Sequence, residues 1–197
     1  FCKIIDDVGR FGQKLEKINL YKDGEPFLNR NLVKMIAYAK EKKIAKNISV
    51  TSNGLLINKL KAIEIIEAGL DSIRISVEHV TDAGYKKLTR TPTQYESIRQ
   101  NVEFLFKSKE KRKSALKIHV KIIDTGLSDF EKEKFIKDFS GISDSININP
   151  IDGRNNSQGY DFSLGQGISF TTDYPNNPLK KNRKVCPDPF FTLAINF

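Results

Sequence analysis

Apolar residues recur along this chain in two alternating rhythms. In five short stretches they fall at every second position: Ile18 and Leu20; Ile48 and Val50; Ile73, Ile75 and Val77; Leu116, Ile118, Val120 and Ile122; Ile146 and Ile148. Side chains of a strand alternate between its two faces, so each stretch reads as a strand with one apolar side. Between these stretches the spacing lengthens to three and four, as in Ile4, Val8 and Phe11, in Leu32, Ile36 and Ala39, and in Ile98, Val102 and Leu105. That spacing makes one stripe of a helix. The pattern predicts strands over 16–21, 47–54, 71–78, 116–124 and 144–150. Asn29 stands where it can cap the second helix, and Gly69 where it can stop the helix over 57–70. Thr93 with Glu96, and Ser128 with Glu131, have the spacing of capping boxes.

Strand and helix in alternation predict a parallel α/β sheet with right-handed crossovers. The face opposite the apolar one carries Lys17, Asn19 and Tyr21; Ser49, Thr51 and Asn53; Ser72, Arg74, Ser76 and Glu78; Lys117, His119 and Lys121; Ser145, Asn147 and Asn149. A sheet covered by helices on both sides has strands apolar on both faces. These strands therefore predict helices on one side only and a polar, wet lumen on the other, as in a curved, partly closed α/β barrel. Ligands of such barrels sit at the C-terminal strand ends, which here are Tyr21 to Glu25, Thr51 to Gly54, Ser76 to Glu78, Lys121 to Asp124, and Asn149.

The periodic part covers about 1–150. The stretch 151–185, rich in Gly, Asn, Pro and Lys, lacks periodicity and reads as a linker or substrate-facing loop. The chain opens inside a helical pattern and closes on the alternating stretch FFTLAINF, which reads as a piece of a longer protein. With 39% hydrophobic and 29% charged residues over 197 positions, the composition is that of a soluble globular protein. No apolar run approaches the ~20 residues of a membrane span. Cys2 and Cys186 are the only cysteines, far from a disulfide framework, so a reducing cytoplasm is expected and Cys2 reads as an ordinary thiol on the first helix. The net charge of +9 gathers in KEKKIAK 40–46, KSKEKRK 107–113 and KKNRK 180–184. These clusters carry no interleaved aromatics for base stacking, so they read as solvated helix ends and loops rather than a nucleic-acid surface.

The candidate chemistry lies in the loops after the strands. In YKDGEPFLNR, Gly24 lets backbone approach a ligand closely, and Asp23, Gly24 and Glu25 offer acceptors suited to an ammonium group. A plain turn, with Glu25 capping the following helix, explains the same residues equally well. Thr51, Ser52 and Asn53 offer donors for a carboxylate or sugar hydroxyls, or simply cap a turn. Glu78 can accept from ribose hydroxyls or pair with Arg74; Lys121 can meet a ligand carboxylate or pair with Asp124 or Glu78. His119 reads as a hydrogen-bonded lumen residue, and His79 as a histidine without a companion.

Three markers stand in order: Gly-Glu-Pro at 24–26, Thr-Ser-Asn-Gly at 51–54 and Ile-Ser-Val-Glu at 75–78. Together they resemble the core of a radical S-adenosylmethionine enzyme over about 1–150, and CPDPFFTLAIN 186–196 resembles the opening of a SPASM-type extension. The resemblance implies a partial (β/α)6 barrel that binds S-adenosylmethionine. It gives the amino group to Asp23, Gly24 and Glu25, with Asp23 in place of the family's usual first glycine. Thr51, Ser52 and Asn53 would help hold the ligand, Ser76 and Glu78 would take ribose and carboxylate, and Lys121 the carboxylate. Adenine would lie near Ile148, Asn149 and Pro150. It further implies a [4Fe–4S] cluster that cleaves S-adenosylmethionine to a deoxyadenosyl radical, an electron donor such as a flavodoxin or ferredoxin, and oxidoreductase chemistry on a peptide or small molecule. Cys186 would be an auxiliary-cluster ligand. The family's Cys-x3-Cys-x2-Cys is absent from these 197 residues, and the resemblance puts it upstream of Phe1. A non-catalytic barrel binding a nucleotide-like ligand or a partner protein is the rival reading.

Overall fold

Five parallel strands stand where the period-two stretches predict them. The structure, a computed structural model, describes residues 1–21, 24–150, 158–161 and 168–171, with Pro150 and the last two segments by backbone alone. In chain order these are α1 (Cys2–Gly9), β1 (Leu15–Asn19), a 3-10 turn (Pro26–Leu28), α2 (Leu32–Lys42), β2 (Ala45–Ser52), α3 (Lys59–Glu67), β3 (Ser72–Val77), α4 (Asp82–Thr89), α5 (Tyr95–Lys111), β4 (Lys117–Asp124), α6 (Asp129–Phe139), β5 (Ser145–Pro150), β6 (Gln158–Asp161) and β7 (Ile168–Thr171). Strands β1 to β5 pair parallel in sequential order. Strands β6 and β7 add to the same sheet antiparallel. Both lie in the stretch read from sequence as a linker or loop, where four-residue strands leave too short a pattern to detect.

The two faces divide as the alternation requires. Ile48, Val50, Ile73, Ile75, Val77, Ile118, Val120, Ile122 and Ile146 are buried against the helices in one core with Ile36, Ile65, Ile98, Leu105, Phe135 and Phe139. Each such side chain contributes roughly 1.5–3 kcal/mol on leaving water. On the other face the register aligns rows of polar residues: Thr51, Arg74, His119 and Ser145, then Ser76, Lys121 and Asn147. Among the lower rows, Ser49 donates to Asn19 Oδ1 at 2.6 Å and Ser72 to Asn47 Oδ1 at 3.0 Å.

The N-terminal ends of the strands repeat one device. Asp71, just before β3, accepts the Ile48 N–H at 2.8 Å and the Lys40 ammonium at 2.7 Å. Asp144, just before β5, accepts the Ile118 N–H at 2.7 Å and Lys109 at 2.7 and 2.6 Å. A helix lysine and a strand-leading aspartate thereby pin the start of the neighbouring strand. Lys109 and Asp144 are buried, at 3% and 8% exposure, so Lys109 is not the solvated helix-end residue that its charge run suggests.

Helix ends match the sequence in part. Ser128 and Glu131 form a complete capping box on α6, and Gly69, at φ +80°, follows the end of α3. Thr93 and Glu96 do not cap α5: Asp82 Oδ1 takes the Tyr95 N–H at 2.8 Å, and Glu96 turns to Arg99. Asn29 does not cap α2, whose N-cap is Asn31; its side chain instead accepts the Asn31 N–H at 2.9 Å in a local turn. Cys2 is exposed on α1 as expected.

Candidate functional site

At the C-terminal strand ends the Gly-Glu-Pro turn and the Thr-Ser-Asn-Gly turn are one unit. Glu25 Oε1 accepts the Phe27 N–H at 3.1 Å and so caps the 3-10 turn. The same oxygen accepts the Ser52 hydroxyl at 2.8 Å, and Oε2 accepts the Asn53 N–H at 2.8 Å. Ser52, buried at 2%, in turn accepts the Gly54 N–H at 3.0 Å. Glu25 is therefore the brace between the two turns; both the capping role and a wider one are realised. Its carboxylate has three protein donors, and Ser52 has its one proton on Glu25. What the brace leaves open is backbone: Gly24 is exposed at φ +80°, with no atom within 4 Å of where a Cβ would stand.

Gly54 answers to a tighter demand. It too lies at φ +80°, and an added Cβ would come 3.0 Å from Ile98 Cγ2 and 3.1 Å from Ile75 Cγ2. Its carbonyl accepts from Asn101 Nδ2 at 3.0 Å, which ties the turn to α5. Asn53 closes a local turn by accepting the Leu55 N–H at 3.0 Å.

Across the lumen the charged groups are not paired with one another. Among the described residues Arg74, Glu78 and Lys121 make no ion pair, so neither an Arg74–Glu78 pair nor a Lys121–Asp124 pair forms. Asp124 instead pairs with Lys132 at 2.8 Å. Lys121 and Ser76 are direct register partners, and Thr51 lies beside Arg74, so the sheet brings these predicted residues together. Glu78 follows β3 directly, and Tyr85 accepts its N–H at 3.0 Å. His119 meets Ser145 Oγ at 2.5 Å, the hydrogen-bonded role expected for it.

Other predicted residues stand differently. Ile148 is 8% exposed and packs in the core, because alternation turns Asn147 and Asn149 to the lumen and Ile148 away from it. Only its backbone can border a ligand there. Asn149 lies in register with Ile123, an apolar residue 37% exposed on the lumen side. Asp23, the side chain of Pro150, Cys186 and the SPASM-like stretch lie outside the described residues. His79, read as companionless, has Glu131 Oε1 3.2 Å from its Nε2. That partner is far along the chain, and no local pattern announces it. Arg74 joins the candidate residues because its expected partner is absent.

The donor set fits S-adenosylmethionine: exposed backbone at Gly24 for an ammonium, a carboxylate at Glu78 for hydroxyls, and an ammonium at Lys121 for a carboxylate. It does not fit a [4Fe–4S] cluster. Among the described residues no three His, Cys, Asp or Glu side chains gather as a metal site. Two cysteines in the whole chain cannot supply three thiolates.

The model of the Radical SAM superfamily matches residues 3–148. The chain belongs to this superfamily. Among curated proteins it is 36% identical over 101 residues to the probable GTP 3',8-cyclase of a Methanococcus maripaludis strain, covering 51% of this chain and 32% of that protein. It is 24% identical over 165 residues to the GTP 3',8-cyclase of Staphylococcus saprophyticus, covering 80% of this chain and 46% of that one. The chain thus spans about a third to just under a half of these relatives' length. Among solved structures, Streptococcus suis SuiB, and SuiB bound to S-adenosylmethionine, share the fold with a TM-score of 0.53 at 13% identity, over 68% of this chain and 28% or 29% of theirs. The α/β fold with its parallel strands is that of the superfamily. No helix among the described residues is long and apolar enough to cross a membrane.

Proposed function

We propose that this chain is the S-adenosylmethionine-binding barrel core of a radical SAM enzyme that acts on GTP or a closely related nucleotide. The observation that carries the reading is the set of lumen-facing charges without an ion-pair partner among the described residues, Arg74, Glu78 and Lys121, opposite a braced turn with open backbone at Gly24. Glu78 and Lys121 are half-buried, and a half-buried charge left unpaired costs free energy unless water or a ligand meets it, whereas Arg74 is exposed and open to a ligand. In this reading the carbonyls of Asp23 and Gly24 accept the ligand's ammonium, while Glu25 holds the turn. Glu78 accepts from ribose hydroxyls. Lys121, with its register partner Ser76, takes the methionyl carboxylate. Asn149 and the backbone of Ile148 border the adenine. Arg74, one register row deeper, offers positive charge to substrate phosphates, consistent with relatives named as GTP 3',8-cyclases.

A second reading keeps the core and changes the substrate. The likeness of 186–196 to a SPASM opening favours a peptide or another small molecule as substrate, with Cys186 on an auxiliary cluster. In either case cytoplasmic residence and an external electron donor follow from the chemistry proposed.

Titration calorimetry on the full-length, anaerobically prepared protein tests both. Glu78→Ala should remove a charge-assisted hydrogen bond worth about 1.5–3 kcal/mol, weakening S-adenosylmethionine about 10-fold or more. Arg74→Ala should weaken GTP, and wild-type GTP affinity should fall with salt. Unchanged S-adenosylmethionine affinity in both Glu78→Ala and Lys121→Ala, with the fold intact, would overturn the assignment of the site. GTP binding indifferent to Arg74→Ala would turn the choice toward the second reading.

A further inference from the structure

Gly84 sits inside α4, where glycine costs about 1 kcal/mol relative to alanine. Its φ is not positive, so backbone conformation does not require it. Space does: a Cβ there would lie 1.9 Å from His79 Nδ1 and 2.1 Å from its Cγ. The imidazole occupies the volume that any other residue at 84 would fill.

The ring is held on both nitrogens. Thr81 donates its N–H to His79 Nδ1 at 3.3 Å, which puts the ring proton on Nε2, toward Glu131 Oε1 at 3.2 Å. Thr81 is also the N-cap of α4, accepting the Gly84 N–H at 3.1 Å. Glu131 is fixed in turn by the Ser128 N–H at 2.8 Å and hydroxyl at 2.7 Å. The next residue of α4 after Gly84, Tyr85, 3% exposed, accepts the N–H of Glu78 at 3.0 Å. Burial pushes the Tyr85 phenol up to about 12, so it stays neutral at physiological pH.

We propose that His79, wedged over Gly84 and tethered to Glu131, is a positioning residue that sets where Glu78 stands relative to Lys121. The inference rests on the S-adenosylmethionine site proposed above. Glu78 is the residue before His79, and α4 grips both: Tyr85 holds the Glu78 backbone and Gly84 seats the ring. The Glu131 tether reaches the start of α6, the helix that follows β4, and β4 carries Lys121. The device thus spans the loops after β3 and β4 and fixes the distance between the two charges that the ligand would bridge.

The experiment is a double-mutant cycle read by S-adenosylmethionine affinity on the full-length, anaerobically prepared protein, with thermal midpoints measured alongside. Gly84→Ala should expel the ring and weaken binding about 10-fold. His79→Ala should weaken it comparably. The Gly84→Ala/His79→Ala double variant should bind no worse than His79→Ala alone, because the new methyl then has room. In a Glu78→Ala background, Gly84→Ala should change affinity less than twofold. A purely structural role would leave its effect undiminished there, and that result overturns the proposal, as does unchanged affinity in both single variants. Should Gly84→Ala fail to fold, His79→Ala in the two backgrounds makes the same comparison. If Glu78→Ala itself leaves affinity unchanged, this inference falls, and if Lys121→Ala does so too, the binding site falls with it. If Glu78→Ala weakens binding and the His79 and Gly84 variants do not, the inference alone falls.

Discussion

The two ends of the parallel sheet treat charge in opposite ways. At the N-terminal end the strand-leading aspartates and the helix lysines beside them are paired. Asp144 takes Lys109, Lys117 and a strand N–H, and Asp71 takes Lys40 and a strand N–H. At the C-terminal end Arg74, Glu78 and Lys121 have no ion-pair partner among the described residues, while the neighbouring Glu25 is held by Ser52 and Asn53. A sheet that can bury Lys109 with three acceptors has the means to pair Lys121 as well. Polar groups satisfied within the protein hold the fold, and polar groups held in place but unsatisfied await something else.

That contrast can be broken most forcefully at Asp144. Asp144→Ala would leave Lys109 buried without its carboxylate, and removing one member of such a pair costs about 3–5 kcal/mol. Chemical denaturation should record a loss of that size, while S-adenosylmethionine affinity of the folded fraction stays as it was. A loss below about 1 kcal/mol, the range of an exposed pair, would mean that water reaches the pair and that the two ends differ less than their geometry says.

The opposite end should answer the other way. Lys121→Ala should leave stability within about 0.5 kcal/mol of wild type and yet weaken S-adenosylmethionine about 10-fold or more, the worth of a charge-assisted contact. A clear fall in stability with unaltered binding would move Lys121 into the class of Lys109.

Gly54 tests the scaffold between the ends. Gly54→Ala meets both a left-handed backbone, costing roughly 1–2 kcal/mol, and the methyl groups of Ile75 and Ile98. The melting temperature should drop, and ligand affinity should drop with it, because Ser52 and Asn53 brace Glu25 through the same turn. Gly24→Ala, with open space around it, should cost only the backbone component.

The smallest effect concerns pH. The Lys132 ammonium first, and then the Leu127 and Gly126 N–H groups, hold the Asp124 carboxyl below the usual carboxylate range. A carboxyl depressed in the folded state adds stability that is fully present above its unfolded value of about 3.9. That stability is lost as pH falls from there through the folded value. Thermal midpoints measured from pH 6 down to 2 should therefore fall less steeply in Lys132→Ala than in wild type. Parallel curves would show that this pair is screened by solvent.

Which of these features the chain announces depends on how far apart the interacting residues lie. The strand faces were readable because period two is a local property and the core obeys it residue by residue. The Ser128–Glu131 box was readable for the same reason. The Thr93–Glu96 box had the same spacing and failed, because Asp82, thirteen residues earlier, supplies the acceptor for Tyr95 N–H. Lys109 looked like any lysine in a charge run, since its partner Asp144 is 35 residues away. His79, in the loop after β3, looked solitary because Glu131 stands far along the chain on α6. Glu25 admitted two readings, and its contacts with Ser52 and Asn53, 27 and 28 residues on, gave it both a cap and a brace.

The sequence by itself therefore determined the alternation of strands and helices, the apolar and polar faces, and the turns that follow the strands. These follow from propensity, periodicity and turn geometry, all of which act within a few residues. Which charges are neutralised, which glycine makes room for a ring rather than for a turn, and which side chains remain open to a ligand were decided only when distant segments packed. Those outcomes depend on pairwise distances across the fold: Asp144 comes close enough to Lys109 of α5 to make it a buried anchor at one end of the sheet, while Lys121 at the other end has no ion-pair partner among the described residues.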